Sequence, residues 1–497
     1  MSIIKTRRHA IYSARESQLH LNRLASEGGR PYVQSRLWRA PNETDVSWNG
    51  DKTRGIVGRL ERTAIVSDAA RVVNKINQYL FRVETPRNGI DESFRNNCTG
   101  SGQSIHFFMA SVCDAITWGR WCWLQVDRLP LGVDEEGNLI PESLANKQSV
   151  TWSLWDALSV TDWHIDSNGV IRWLIVRSSI YENADPYTDA RKGDLYTLYE
   201  LVDGKVYVTE EADGIAMSGL RVKSEIPGLG RIPFVVVGTP SSDAWWFDDV
   251  ENIQAQILNL DSAHNETLTE RVYPQIIIPA SAMNSLEVML KESNINGERV
   301  ASLVRELTIG RNTPLCEAPE DKGICRYITP QGDLKMLVEE SDRKRKILFD
   351  FAGLAMFNRE TRQVQTAESK AFDMLDTNAT LGNRAMLLKD TEKKMVSLSK
   401  VFDPSFKEWD ANYTTDYDVV DVAGISAALV TTANMPDMTP KMRKIVAKAN
   451  VKILKEVAGG VANEEDFEEA LKEIDGMDFE LQSMLPNPFE PTEDEDD

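Results

Sequence analysis

Few residues of this sequence have the types and spacing that catalysis or metal binding requires. The segment Gly50-Asp51-Lys52-Thr53 has residue types of a phosphate-binding loop, but its Gly and Lys are not adjacent and no strand precedes it. His264 and Glu266 lack the second histidine of a zinc-protease helix. The five histidines are scattered, and no acidic pair has a spacing suited to acid–base work. The sequence therefore predicts no catalytic site, no metal site and no cofactor.

The cysteines and the apolar segments point to a chain made in the cytoplasm. There are five cysteines, an odd number, too scattered for a metal site, and we expect them to be reduced thiols. No apolar run approaches the roughly 20 residues needed to cross a bilayer. The N-terminus has basic residues without the apolar core of a secretory signal. We therefore expect no membrane partner.

The charge of the chain is strongly negative and unevenly distributed. The net charge is −21 over 497 residues, which argues against a conventional DNA-binding protein with a basic surface. Residues 1–40 nevertheless contain eight Lys or Arg and two acidic residues, whereas the last twelve residues contain six acids and no base. The acidic end is typical of a solvated tail.

A basic cluster, Arg343-Lys344-Arg345-Lys346, lies in a predicted helix. It covers a full helical turn, so its four side chains cannot all point one way. Acidic residues precede it at the spacing that favours ion pairs within a helix, and the predicted pairs are Glu339–Arg343, Glu340–Lys344 and Asp342–Lys346. The ordinary interpretation of this cluster is a solvated, ion-paired helix face.

Two further groups of polar and basic residues follow in the sequence. Arg359 and Arg362 lie in a polar segment together with Gln363 and Gln365, as many surface loops do. Lys444, Lys448 and Lys452 belong to a lysine-rich side of a predicted helix, which is also typical of a solvated face.

The first half of the chain combines helical periodicity with the alternation of strands. Residues 61–85 and 104–117 are predicted to be helices, the first with Ala69, Val72, Val73, Ile76 and Leu80 on one face. Residues 121–127 and 231–238 are typical of buried strands. Between 149 and 208, period-two alternation predicts two hairpins, one of them turning at Asp203-Gly204. Six of twelve Trp residues lie between 121 and 173, which indicates one aromatic-rich β-module.

The second half is predicted to be mainly helical. A helix over 250–272 precedes a short mixed segment, and a second helix runs from Asp333 to about Phe351. A helix over 366–402 would span about 55 Å, too long for an ordinary globular core, with a bend at Gly382. Its predicted apolar stripe comprises Phe372, Leu375, Ala379, Gly382, Met386, Leu388, Met395, Leu398 and Phe402.

Two segments of this order are similar to those of a known family. The junction IPFVVVG…DDVENIQAQILNLDSAHNETLTERVYPQIIIPA over 232–280 reads as strand, long helix and strand. The segment TAESKAFDMLDTNATLGNRAMLLKDTEKKMVSL over 366–398 is the very long helix. Together they resemble the portal proteins of tailed bacteriophages. The resemblance covers about residues 60–475 and lies in the order of elements rather than in individual residues.

The resemblance implies an α+β fold of the portal type. A mixed α/β wing would be followed by two stem helices around a small α/β clip, a tunnel loop, a long tunnel helix and a helical crown. The implied segments begin with an N-terminal arm at 1–60 that wraps over a neighbour, followed by the wing at 61–246, the first stem helix at 247–272 and the clip at 273–332. The second stem helix at 333–356 and the tunnel loop at 357–365 come next. The long tunnel helix and returning wing strand at 366–436, the crown at 437–476 and an acidic tail at 477–497 complete the chain.

The resemblance also implies a function and partners. Portal subunits form a ring, expected here to be a dodecamer, at one capsid vertex of the virion. The ring is the channel for genome packaging and ejection, and its clip docks the large terminase and later the head–tail adaptor, while the wing contacts the major capsid protein. Double-stranded DNA would pass without sequence-specific contacts, which the acidic composition suits.

Several residues acquire a role only through this resemblance. Arg359, Arg362, Gln363 and Gln365 would lie in the tunnel loop and contact phosphates. Lys335, Arg343 and Lys346 would lie on the channel face of the second stem helix, and Lys444, Lys448 and Lys452 in the crown lumen. Two other classes stay open: a multidomain enzyme of unknown substrate, and another ring or scaffold component of a phage.

Overall fold

The computed structural model describes residues 3–39, 55–128, 150–182, 191–214, 221–226, 229–272, 275–279, 315–317, 326–328, 333–354, 367–414, 444–445, 447–448, 451 and 464–476. The chain divides into two compact units, residues 1–417 and 418–497, and each is described by itself. Helices and sheets are mixed, so the coarse α+β class predicted from the sequence is confirmed.

The N-terminal helices belong to the core of their own chain. They are α1 (Ile3–Thr6), α2 (Ala10–Glu27), α3 (Gly29–Arg36) and α4 (Gly55–Arg62). Tyr12, Leu19 and Ala25 of α2 are fully buried. That residues 1–60 form an arm over a neighbour stays a prediction. The buried stripe of α2 also contains Arg15 and Asn22, and these polar residues hide its periodicity in the sequence.

Two further helices complete this helical layer. They are α5 (Asp68–Leu80) and α7 (Ile105–Gly119), with the short α6 (Glu92–Asn96) between them. All five residues predicted to share one face of α5 are buried. Ser67 caps α5, its hydroxyl accepting a hydrogen bond of 3.1 Å from the backbone N–H of Ala70, so the helix begins later than the predicted residue 61. Arg120, at φ 69°, ends α7 and turns the chain into the next strand.

The strands between residues 121 and 238 form two antiparallel sheets. The strands are β2 (Trp121–Asp127), β3 (Thr151–Trp155), β4 (Val160–Ile165), β5 (Ile171–Glu182), β6 (Arg191–Val202), β7 (Lys205–Asp213), β8 (Arg221–Ile226) and β9 (Phe234–Gly238). A three-stranded sheet has the order β3-β2-β9, and a five-stranded sheet has the order β4-β5-β6-β7-β8. Both predicted hairpins are confirmed, as β4–β5 and β6–β7.

A helix, a small sheet and a second helix follow. The elements are α8 (Trp246–Val272), β10 (Gln275–Pro279), β11 (Leu315–Glu317), β12 (Arg326–Ile328) and α9 (Leu334–Phe351). Strand β10 is central, parallel to β11 and antiparallel to β12. The helices predicted over 250–272 and from Asp333 to Phe351 are confirmed. Asp333 caps α9, its carboxylate accepting a 2.9 Å hydrogen bond from the backbone N–H of Lys335.

The longest helix, α10 (Ala367–Phe402), continues without interruption through Gly382. Leu388, Met395 and Leu398 of the predicted stripe are buried, but Met386 is 61% exposed. At about 100° per residue, Met386 lies almost opposite Leu388, so the predicted stripe combined two faces. Two short elements complete unit 1: β1 (Arg87–Asn88) pairs with β13 (Asp410–Ala411). In unit 2 the helix α11 covers Glu464–Gly476.

Candidate functional site: the faces of helix α9

Helix α9 has one face buried in its own chain and two exposed faces of different chemistry. Ser341, Leu348 and Phe349 are buried. Met336, Ile347 and Phe351 are exposed by 62%, 36% and 50%, although they are large and apolar. At about 100° per residue these three lie within about 60° of one another, in a sector that also contains Glu340 and adjoins the charged sector rather than the buried one. We call Met336, Ile347 and Phe351 the apolar face.

The charged face of α9 comprises Lys335, Glu339, Arg343, Lys346 and Asp350. The structure thus places the three residues predicted for a channel face on one exposed side. Lys335 Nζ lies 3.3 Å from Glu339 Oε1, and Arg343 Nε lies 2.7 Å from Glu340 Oε2. The basic charges are therefore largely neutralised by neighbours on the same helix. That this face lines a channel stays a prediction.

The predicted ion pairs of α9 are only partly correct. The Glu340–Lys344 pair forms at 3.9 Å. Arg343, however, pairs with Glu340 and not with Glu339, and Asp342 pairs with Arg345 at 2.9 Å and not with Lys346. In both cases an i,i+3 geometry replaces the i,i+4 geometry.

Arg345 attaches α9 to two other helices. Its guanidinium lies 2.5 Å from Asp261 Oδ2 of α8 and 3.2 Å from Asp68 Oδ2 of α5. Ser341 donates a 2.7 Å hydrogen bond to the other carboxylate oxygen of Asp261. Burial alone lowers the pKa of Arg345, but the carboxylates of Asp261 and Asp68 raise it above its usual range. Arg345 is thus a structural residue rather than a member of the charged face.

Asp68 extends this network, because its carboxylate is almost completely buried. It accepts a 2.7 Å hydrogen bond from Arg71. The side-chain oxygen of Gln254 accepts hydrogen bonds of 2.7 and 3.0 Å from the backbone N–H groups of Asp68 and Ala69. Gln275, just after α8, pairs with Ile328, just before α9, so the end of α8 and the start of α9 lie at the same end of the helix pair. Helices α8 and α9 consequently run antiparallel.

The antiparallel arrangement places further exposed apolar residues at one end of the helix pair. Leu268 and Val272, close to the end of α8, are exposed, as are Met336 and Val338 at the start of α9. An ordinary surface carries such residues singly. Here they lie toward the end of the pair from which the β10–β12 segment departs, but Val338 is on the opposite side of α9 from the apolar face.

Other predicted site residues have different outcomes. Arg359, Arg362, Gln363, Gln365 and Lys452 lie outside the described residues. Lys444 and Lys448 lie in helical positions of unit 2 and are half-buried, whereas Ile445 between them is exposed. These positions do not test the assignment of Lys444, Lys448 and Lys452 to a crown lumen, which stays a prediction.

The described residues contain no arrangement suited to metal chemistry or thiol chemistry. No group of three or more His, Cys, Asp or Glu side chains in the described ranges could hold a metal ion. Cys98, Cys113 and Cys122 are free and buried. Burial raises the pKa of the Cys98 and Cys113 thiols to about 12, so both are protonated at neutral pH. None of the described helices is both long and apolar enough to cross a membrane.

Sequence signals for part of this site existed. Met336, Ile347 and Phe351 recur at helical spacing in a segment that also contains a block of acidic residues and a block of basic residues. The contacts of Arg345 had no such signal, because Asp68 is 277 residues away in the sequence.

Comparisons with known proteins find little similarity. No family model matches the sequence, and no curated protein sequence is similar to it. Among the solved structures, a chain from the neck of an empty GTA particle, computed with C6 symmetry, aligns with 11% sequence identity. The alignment covers 87% of this chain and 96% of that chain, at a TM-score of 0.34. A score of this size does not establish a common fold.

Proposed function

We propose that this protein is a portal subunit of a tailed bacteriophage, which forms a ring at one capsid vertex of the virion. The single observation that carries the proposal is the division of α9 into a buried face, an apolar face and a charged face. In an isolated subunit the apolar face of α9 would stay in contact with water, which is unfavourable for large apolar side chains. A ring explains both exposed faces of α9. Neighbouring copies would cover the apolar face, and the charged face would point toward the centre of the ring.

The order of elements supports this proposal. In it, α8 and α9 are the two stem helices, and the β10–β12 segment is the clip that docks the large terminase and then the head–tail adaptor. At 1.5 Å per residue, α8 and α10 span about 40 and 54 Å. Helix α10 is the tunnel helix of this scheme, and the wing contacts the major capsid protein.

The charged face suits a passage for double-stranded DNA. It contains three bases and two acids, and Lys335 and Arg343 are already ion-paired. Strong phosphate binding needs several unneutralised basic side chains, because their binding releases counterions from the DNA. A nearly neutral face holds DNA weakly and without sequence preference, so that the polyanion can move along it.

We propose further that the chain is not an enzyme and that a separate ATPase moves the DNA. An active site needs convergent polar groups in a pocket. The polar groups between α5, α8 and α9 are instead used in contacts between helices, such as those of Arg345 with Asp68 and Asp261.

Native mass spectrometry of the purified full chain tests this proposal. We expect a closed assembly of one defined stoichiometry, near twelve copies of 55.9 kDa. A monomer or dimer across a range of salt and protein concentrations would contradict it. Negative-stain images of the same sample distinguish a ring from a compact particle of equal mass.

A further inference from the structure

A groove of about 660 Å³ lies between the two sheets and helix α10, remote from α9 in the sequence. Its walls are the turn between β4 and β5, the segment 230–236 and one side of α10. Ile165, Val170, Ile171 and Ile232 provide apolar surface, and Arg231, Lys393 and Lys394 provide positive charge. A cationic groove in a chain of net charge −21 is unusual.

Two of the three cations are not neutralised by the described part of the chain. Lys394 Nζ lies 2.6 Å from Asp390 Oδ2, which also lines the groove. Arg231 and Lys393 have no ion-pair or side-chain hydrogen-bond partner among the described residues. The groove therefore has an excess of two positive charges and is complementary to an anionic ligand.

The groove also runs along the edge of a strand. Phe234, Val235 and Val236 of β9 all line it, although successive side chains of a strand point to opposite faces. Three consecutive lining residues therefore indicate the edge of the strand rather than one of its faces. Strand β9 is the last strand in the order β3-β2-β9, and its outer edge has no strand partner in the described ranges.

We propose that this groove binds an extended, acidic segment of a partner polypeptide, which adds a strand to the free edge of β9. Main-chain hydrogen bonds to an edge strand provide affinity, and alternate side chains provide specificity. Apolar side chains of the segment would contact Ile171 and Ile232, and its carboxylates would pair with Arg231 and Lys393. A small anion would use the cations but not the strand edge, and a DNA duplex would use neither the edge nor the apolar walls.

The test is fluorescence polarisation with the full chain and a fluorescein-labelled hexapeptide of alternating Glu and Val. We expect saturable binding that weakens at least tenfold in the double variant Arg231→Glu, Lys393→Glu. The charge-matched control is Arg82→Glu, Lys472→Glu, which changes two exposed cations outside the groove and should bind like the wild type. Circular dichroism melting shows whether each variant is folded.

A second peptide, N-methylated at alternate amides, tests the strand addition, because it keeps the charges and lacks half of the backbone donors. We expect its binding to be lost. No binding of the first peptide to the wild type, equal binding of both peptides, or displacement of the peptide by a duplex oligonucleotide would each overturn the proposal. The double variant should assemble like the wild type, so this inference and the ring proposal fail independently.

Discussion

Arg15 of α2 and Asp248 of α8 form a buried, two-point ion pair, with N–O distances of 2.7 and 2.8 Å. Asn22 donates a further hydrogen bond of 2.8 Å to the same carboxylate. Burial by itself raises the pKa of Asp248, but the bonds from Arg15, Asn22 and the backbone of Trp245 hold it below its usual range. The N-terminal segment is thus bound to the first long helix of the proposed stem.

Replacing Arg15 tests how much this pair stabilises the fold. Arg15→Ala leaves a buried carboxylate without its counter-charge, and we expect the free energy of unfolding to fall by about 3–5 kcal/mol. Urea denaturation followed by tryptophan fluorescence measures the change. The control is Arg172→Ala, which removes the more exposed pair with Asp166 and should change the free energy of unfolding much less, because water screens exposed pairs. Equal losses of unfolding free energy in the two variants would contradict the stabilising role of the buried pair between Arg15 and Asp248.

Replacing Arg345 tests the attachment of α9 to α5 and α8. Arg345→Met should cost roughly 2 kcal/mol, less than for a fully buried pair, because Arg345 is partly exposed. Hydrogen exchange should accelerate across residues 334–351 in this variant. Arg343→Met, which removes an exposed pair with Glu340 on the same helix, is the matched control and should leave exchange unchanged. Unchanged protection in Arg345→Met would show that the network does not position α9.

The apolar face is expected to hold neighbouring copies together. The double variant Met336→Glu, Phe351→Glu should stay folded, since both side chains are exposed within one chain, but it should lose the assembled state in native mass spectrometry. Burying unpaired carboxylates between subunits is unfavourable. The control variant Glu339→Gln, on the charged face, should assemble normally. Normal assembly of the double variant would contradict the assigned interface.

Asp114 provides a prediction about pH. Burial raises the pKa of its carboxyl to about 6, and Asn77 donates a hydrogen bond of 2.6 Å to it. Because the pKa is higher in the folded state, protonation favours folding, and this contribution is lost as the pH rises from the ordinary aspartate pKa of about 4 to about 6. Asp114→Asn should therefore raise the melting temperature strongly at pH 8 and by a smaller amount at pH 5, where only part of the ionisation penalty is present. An equal change in melting temperature at both pH values would contradict the proposed effect of burial on Asp114.

The sequence predicts the long helices well, since local signals determine where they begin and end. Asp333 caps α9 next to its first residue, and α10 begins within one residue of its predicted start. The stripe of α10 was less accurate, because apolar residues such as Met386 occur on two of its faces. Apolar content alone does not reveal which of them packs against the sheet.

Contacts between distant segments could not be predicted from one sequence. Arg15 and Asp248 are 233 residues apart, and buried polar residues in α2 obscure its inner face. The basic cluster of α9 indicated surface ion pairs, whereas tertiary carboxylates bind Arg345. Local pairing rules describe isolated helices, and tertiary packing selected other partners here.

Cryo-electron microscopy of the purified full chain tests the central claim most directly. We predict a ring with a central opening wide enough for duplex DNA, in which Lys335, Arg343 and Lys346 of each copy face the opening and Met336, Ile347 and Phe351 contact the next copy. A closed particle without an opening, or a ring in which the charged face of α9 lies on the outside, would contradict the account.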